Sequence, residues 1–497
     1  MTPRGSYRLP WVRLHAIRDY YSMAALVARY PNIRVSFNLT PVLLAQLEDY
    51  ARHGATDRHL DLTLTPAENL VPDERRELVA SFFDADWHHM VLRHQRYGEL
   101  FRAAKRKRGL TVQELRDLQM WSNLAWFGTQ FQAGAVELVT GEVVRVDDLV
   151  RRARDFAAED IERMVEEQGK ILRAVVPLHR TLQEKGQIEV ATSPYFHPIL
   201  PLLIDTGAAT VDRDGATLPS RFQEPEDAAT QVRMAVACYE RCFGRPPAGM
   251  WPAEGAISAA TIPLFAGAGI RWIGSDAGVL AQSGPWGYPV DQPEIACQAY
   301  RVEERGWTLA AFFRDSQLSD WIGFEGQRID DPTEAAERFV AEIHRRVGDR
   351  LPSDRPYVLP LVLDGENAWG AYPESGAPFL AALYDHLSAD PLIATTTFSD
   401  WLSGRDGAMA AHPIEGLPRV HELHTGSWID EPGSRPGVDL GTWIGEPEEN
   451  RAWELLARVR RDVRAAGFSP ADGPELAKGL LAAEGSDWFW WFGEDQT

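Results

Sequence analysis

Gln187-Ile188-Glu189-Val190-Ala191-Thr192-Ser193-Pro194-Tyr195-Phe196-His197-Pro198 reads as a short buried strand that runs into a turn fixed by two prolines. Branched apolar residues favour the strand, and proline cannot continue its ladder. The unit recurs along the chain. Arg34 to Asn38, Gly249 to Trp251, Ile270 to Gly274, Leu309 to Phe313, Val358 to Leu363 and Ala394 to Phe398 are similar runs, most of them followed by a polar or glycine-containing turn and then a helical pattern. This alternation predicts βα units around a parallel sheet or barrel. In such folds the strands end on one side, so chemistry is expected in the turns that follow them.

Outward from these units the pattern changes twice. From about Pro66 to Gly186 the chain consists of charged amphipathic stretches such as Asp147 to Gln183, with no convincing strand, and reads as a helical insertion. After Ser399 a glycine- and proline-rich passage, Gly404 to Gly441, leads into a charged helical pattern over Pro447 to Ala466. The expected division is a catalytic unit over 1–403 with its insertion at about 66–186, and a mainly helical region over 404–497 packed on it. No internal repeat or low-complexity tail is evident.

The 497 residues are 44% hydrophobic and 25% charged, enough for one large catalytic domain with appendages. The 72 acids against 51 bases leave a net charge of -21, which repels a phosphate backbone or an anionic membrane surface, so neither nucleic acid nor membrane is expected as a partner. Three cysteines cannot build a disulfide framework, and Cys238 and Cys242 lack the second pair that a zinc site would need. Buried thiols in a reducing cytoplasm are expected. With no signal-like N-terminal segment and no long apolar run, a cytoplasmic location is the expectation. The 17 tryptophans and 13 tyrosines often neighbour glycine or proline, a setting that suits stacking on the C–H faces of sugars as well as core packing.

Three groups of residues fall at strand ends. Glu254, in Gly249-Met250-Trp251-Pro252-Ala253-Glu254-Gly255, is placed to project into a cleft beside Trp251, an ordinary exposed loop acid being the plain alternative. Asp364, Glu366 and Asn367, in Leu363-Asp364-Gly365-Glu366-Asn367-Ala368-Trp369, bring two carboxylates and an amide to the end of an apolar run. Oxygen ligation of a metal is one reading, and acid/base work with hydroxyl recognition fits better, because no second ligand cluster is present. Two separate strand-end carboxylates, each beside a tryptophan, are what glycoside hydrolysis requires. His197 is expected in the cleft. His15 has an equally good structural reading, and His424 beside Trp428 is a candidate substrate contact. Asp276, Arg314 and Asp315 also end strands and are expected behind the site, with Arg314 and Asp315 pairing to orient it. Serine-hydrolase, Walker and dinucleotide-binding motifs are missing, and a deacetylase is disfavoured by the lack of an Asp with an H-x-x-x-H pair.

Taken together, Leu9-Pro10-Trp11-Val12-Arg13-Leu14-His15-Ala16, Thr192 to Leu203, Gly249 to Gly255, Leu363 to Trp369 and Glu484-Gly485-Ser486-Asp487-Trp488-Phe489-Trp490-Trp491 resemble glycoside hydrolase family 57, in its α-amylase/α-mannosidase branch near amylopullulanase catalytic domains. The resemblance covers almost the whole chain. It implies a retaining, cofactor-free enzyme acting on α-glucans on a (β/α)7-type barrel, incomplete in this α/β chain, with no metal. By motif position Glu254 corresponds to the nucleophile and Asp364 to the acid/base. His15, His197, Trp251, Glu366, Trp369, His424 and Trp428 are expected to bind substrate. Transglycosylases, either 4-α-glucanotransferase or branching enzyme, share this chemistry. One departure stands out: the family's opening strand ends in His-Gln-Pro, and no such motif precedes Tyr7. The expected cause is a start placed too late; a genuine loss would leave unpaired strand edges and an inactive glucan-binding protein. Trp490 and Trp491 are expected to pack with Phe489 and Phe492 as an apolar cluster.

Overall fold

The computed structural model describes residues 6–106, 109–211, 215–352, 355–366, 368–405, 409–429, 438–467 and 474–493, with backbone alone for 349 and 474–476. Asn367 therefore lies outside the described residues, as does part of the glycine-rich passage.

The chain is an α/β protein. Its strands are β1 (Val35–Asn38), β2 (Val136–Glu137), β3 (Val143–Val144), β4 (Ile188–Ala191), β5 (Gly249–Met250), β6 (Trp272–Asp276), β7 (Ala299–Glu304) and β8 (Trp307–Arg314). β1 pairs in parallel with β4, and β5, β6 and β8 are parallel neighbours with β7 antiparallel on the edge. A single bridge between Thr192 and Met250 joins the two groups into one row, sealed by the Trp251 N–H donating to Thr192 O at 2.8 Å. The row is open: among the described residues β1 has a strand neighbour on one side only.

Two expected strands are corrected. Val358 to Leu363 lies along the end of β8 without forming a ladder. Pro360 has no N–H to donate, and the remaining bonds are irregular: Val358 N to Cys297 O at 3.1 Å, Asp315 N to Pro360 O at 2.9 Å, and Val362 N to the Ser319 hydroxyl at 3.1 Å. Ala394 to Phe398 forms no strand: Phe398 already opens the next helix, and the threonine hydroxyls before it accept from backbone N–H groups. Arg34 N donates to Thr395 Oγ1 at 2.8 Å, and Thr397 caps the helix Phe398–Ser403 by accepting from Asp400 N at 3.1 Å. The antiparallel β7 was not foreseen. Arg305 and Gly306, at φ 49° and 82°, make the tight two-residue turn that folds β7 back on β8.

The segment from 66 to 186 is largely helical, as its periodicity predicts, apart from the small β2–β3 hairpin. Its spine is α1 (Ala158–Glu184), which buries Ile161, Met164, Ile171, Leu172, Val175, Leu178 and Leu182 at helical spacing. Beneath it Arg13 is 1% exposed and fully engaged, donating to Asp57 at 2.7 Å, Gln168 at 2.8 Å and Asn123 at 3.0 Å. Such a charge is tolerable inside only because each donor has a partner.

Two further helices bracket the site. α2 (Pro225–Phe243) packs behind the β4 turn, and α3 (Pro447–Ala465) buries Trp453, Leu456 and Ala457 in a core shared with Ile199, Met250, Ile273 and Phe313. The C-terminal α4 (Ser486–Trp490) joins that core through Phe489, whose ring stacks on Trp453 at 4.4 Å. The rest of the segment does not form the expected apolar cluster. Trp490 is half-buried, while Trp488 and Trp491 are 58% and 69% exposed, because one turn of helix can turn only one face inward. Cys238, Cys242 and Cys297 are free, with Cys242 only half-buried. Among the described residues no helix is long and apolar enough to cross a membrane.

Candidate active site

Glu254 occupies a single helical turn, Ala253–Gly255, that follows β5. Its backbone is left-handed, at φ 52° and ψ 30°, a conformation costly for any residue bearing a Cβ. The neighbours hold it there. Gly255, at φ 62°, continues the turn, and a Cβ on it would lie 3.3 Å from the Trp251 ring. The Glu254 carbonyl accepts from Trp428 N at 3.1 Å, while its carboxylate Oε2 accepts from Trp428 Nε1 at 2.7 Å. The other oxygen, Oε1, lies 3.8 Å from His197 Nδ1. Burial pushes this carboxyl above the ordinary range. The His197 charge and the Trp428 bond oppose that shift, while negative charge on Asp364 and Asp487 adds to it.

Trp251 and Trp428 meet nearly edge to face, with centroids 4.9 Å apart. The Arg314 guanidinium sits 4.8 Å from the centroid of the Trp428 ring and donates to Asp276 at 2.7 Å and Asp320 at 2.8 Å. Asp276 in turn accepts from the Ser316 hydroxyl and from Gly278 N, and burial raises its pKa. Arg314 and Asp276 thus brace the tryptophan that touches Glu254. Asp315 faces elsewhere: it accepts from Leu318 N at 2.9 Å and pairs with Arg346 at 2.6 Å, so the expected Arg314–Asp315 pair is not formed.

Across the site Asp364 ends the extended run beside β8 and is exposed, within electrostatic reach of Glu254. Glu366 is pushed up to about 7, chiefly by burial and then by the negative charge of Asp364 and Asp19, with a bond from Tyr20 opposing. Behind it Arg18 donates to Asp19 at 2.9 Å and stacks over Trp126 at 4.3 Å. The Nδ1 of His15 lies 2.6 Å from Asp19, and its ring edge meets Trp126 at 5.1 Å. His15 therefore belongs to the wall behind Glu366. Arg18, Asp19 and Tyr20 escaped the sequence reading, although two opposite charges inside the apolar stretch Leu14 to Tyr21 were a usable signal.

Trp369 departs most from expectation. It is 5% exposed, donates to Gly365 O at 2.9 Å, and is so closely covered that a Cβ on Gly376 would fall 2.5 Å from its ring. It is core and not a cleft wall. Trp251 is also buried, at 9%, whereas Trp428 and His424 are half-buried, the latter held by its N–H to Ser283 at 3.0 Å. Gly426 in the same loop admits no side chain, since a Cβ there would lie 2.0 Å from Val438 O. Among the described residues no three His, Cys, Asp or Glu side chains are grouped to hold a metal ion.

The structure is similar to that of a family 57 branching enzyme from Thermococcus kodakaraensis, with a TM-score of 0.58 at 17% identity over 98% of this chain and 82% of the other. It is also similar to the α-amylase AmyC from Thermotoga maritima, with a TM-score of 0.53 at 13% identity over 98% and 84%. In sequence, Alpha-amylase 1 of Dictyoglomus thermophilum is 24% identical over 196 residues, which span 39% of this chain and only 23% of that protein. Residues 2–412 match the pattern described as Glycosyl hydrolase family 57, so with this fold beneath it the chain belongs to that family.

Proposed function

We propose that the protein is a retaining α-glucan-active glycosidase, α-amylase-like, in which Glu254 is the nucleophile and Asp364 the acid/base. The carrying observation is the clamp on Glu254: a left-handed turn and an N–H from Trp428 on Oε2 fix the carboxylate in direction, with His197 standing 3.8 Å from Oε1. A nucleophile must approach the anomeric carbon along one line, and fixing that line in advance lowers the entropic part of the barrier. Glu254 would attack that carbon while Asp364 protonates the departing sugar oxygen. The glycosyl–Glu254 ester would then be opened by water, with Asp364 taking the water's proton. Asp364 thus gives a proton in the first step and takes one in the second, so one group serves as acid and then as base.

On this reading the open row of strands is an incomplete (β/α)7-type barrel. Residues 1–403 are the catalytic unit with its helical insertion, and 404–497 form the region packed on it. Trp251, Trp428, His197, His15, Glu366 and His424 line or brace the sugar site, the substrate is an α-1,4-linked glucan, and no cofactor takes part. A cytoplasmic location fits a chain without a membrane-spanning helix among its described residues.

Maltoheptaose digestion followed by chromatography of the products tests this. Shorter maltooligosaccharides alone support hydrolysis. Products longer than the substrate would make the protein a transglycosylase with the same intermediate, and no products with any α-glucan would sink the reading.

A further inference from the structure

Outside the Glu254–Asp364 pair, the C-terminal segment 484–490 reaches the site from the far end of the chain. Gln231 on α2 is wholly buried and grips two segments at once. Its backbone carbonyl accepts from Tyr195 N at 3.1 Å and its Oε1 from Phe196 N at 3.0 Å, while its Nε2 donates to Leu481 O at 2.9 Å and to Glu484 at 3.0 Å. Gly485 then passes so close to Phe196 that a Cβ there would lie 2.7 Å from its carbonyl oxygen. The next residue closes on His197: Ser486 N donates to His197 O at 3.1 Å, and Ser486 Oγ lies 3.0 Å from His197 Nδ1. His197 itself sits at φ 58°, a left-handed backbone that these bonds hold in place.

The same ring nitrogen therefore has two candidate partners. Ser486 Oγ, at 3.0 Å, is within hydrogen-bond range, and Glu254 Oε1, at 3.8 Å, is beyond it. One nitrogen cannot serve both well. We propose that Ser486 is a positioning residue that holds His197 Nδ1 off the Glu254 carboxylate, leaving the carboxylate free to attack and the opposite edge of the imidazole turned to the sugar. Without the hydroxyl, the ring's best remaining partner is Glu254, and a short bond there would quench the nucleophile. This inference rests on the reading of Glu254 as nucleophile.

The charges facing Glu254 decide the sign of the pH effect. His197 comes from the β4 turn, Asp364 from the run beside β8 and Asp487 from α4, with Glu366 feeling Glu254 from across the site and Arg314 stacked behind Trp428. Of these only His197 gains a contact when Ser486 is shortened, so Glu254 ionises more easily.

The experiment compares Ser486→Ala and Ser486→Thr with the parent protein, using maltoheptaose kinetics and 15N spectra of histidine-labelled protein, with His197 assigned from His197→Asn. For Ser486→Ala, kcat should fall about tenfold with KM within about twofold, and the acid limb of kcat/KM should move to lower pH. The Nδ1 resonance of His197 should shift as well, and Ser486→Thr should restore all of these. An unmoved Nδ1 resonance, or equal losses in the Ala and Thr variants, overturns the proposal in favour of packing alone. If Ser486→Ala does not fold, Ser486→Cys takes its place with the same expected directions. Failure of the parent protein to act on any α-glucan removes the reading of Glu254, while the Nδ1 resonance still judges whether Ser486 positions His197.

Discussion

Glu254 is gripped by its own backbone turn and by both N–H groups of Trp428, with His197 held 3.8 Å away by Ser486, whereas Asp364 is exposed at the end of an irregular extended run that bonds to Cys297, Asp315 and Ser319. The first side is partly buried and the second exposed. The contrast matches the two tasks proposed for them. A nucleophile gains from a fixed line of approach, while a group that gives and then takes a proton needs access to the leaving oxygen and then to water.

The severest way to break this comparison is to remove the proposed nucleophile. Glu254→Gln keeps the shape and the clamp, so melting temperature should hold while turnover of maltoheptaose falls by about three or more orders of magnitude. Proton NMR of the parent digest should show the α-anomer appearing first. First appearance of the β-anomer would replace the nucleophile by a general base acting through water.

Next in size is a change on stability alone. Trp369→Ala should destabilise the fold by about 3–5 kcal/mol, the range for emptying a buried tryptophan site, and should leave KM for maltoheptaose unchanged in whatever fraction stays folded. Denaturant unfolding beside kinetics on the same sample checks it. A raised KM with an unchanged unfolding midpoint would return Trp369 to the cleft.

Trp428→Phe sharpens the contrast from the other direction, since it keeps most of the ring and deletes the N–H on Glu254. Hydrogen bonds to a charged acceptor contribute about 1.5–3 kcal/mol, so kcat should drop about tenfold to a hundredfold. The lost donor stabilises the ionised form, hence the Glu254 pKa rises further and the acid limb of kcat/KM moves to higher pH, opposite to the shift expected for Ser486→Ala.

How much of this was legible in the chain depends on how local the cause is. The turns after β4 and β5 could be read because proline, glycine and an apolar run dictate them within a few residues. Val358 to Leu363 looked like a strand for the same reason, yet Pro360 removes a donor, and the bonds that replace the ladder come from Cys297, Asp315 and Ser319, which no local pattern exposes. Trp369 and Trp428 were indistinguishable in sequence, each following a glycine-containing loop. Only the packing of Gly376 and Met23 against one, and of Glu254 against the other, separates core from site. The latch of Ser486 on His197 spans 289 positions and could not be foreseen.

The smallest expected effect concerns Glu366, which belongs to the Asp364 side and is pushed up to about 7 by burial and by its acidic neighbours. A carboxyl whose folded pKa exceeds its unfolded value favours the fold while it is protonated. That contribution is fully present below the unfolded pKa, near about 4.3, and is lost as pH rises through about 7. Glu366→Gln makes the neutral form permanent. Its melting temperature should match the parent at pH 4 and exceed it by about 1–2 °C at pH 8, a modest gain because the group is only half-buried and the chain is long. If the variant instead melts lower than the parent at both values, the carboxylate is ionised in the fold and stabilised by Tyr20. The Asp364 side would then be as firmly tied as the Glu254 side, and the contrast between them would disappear.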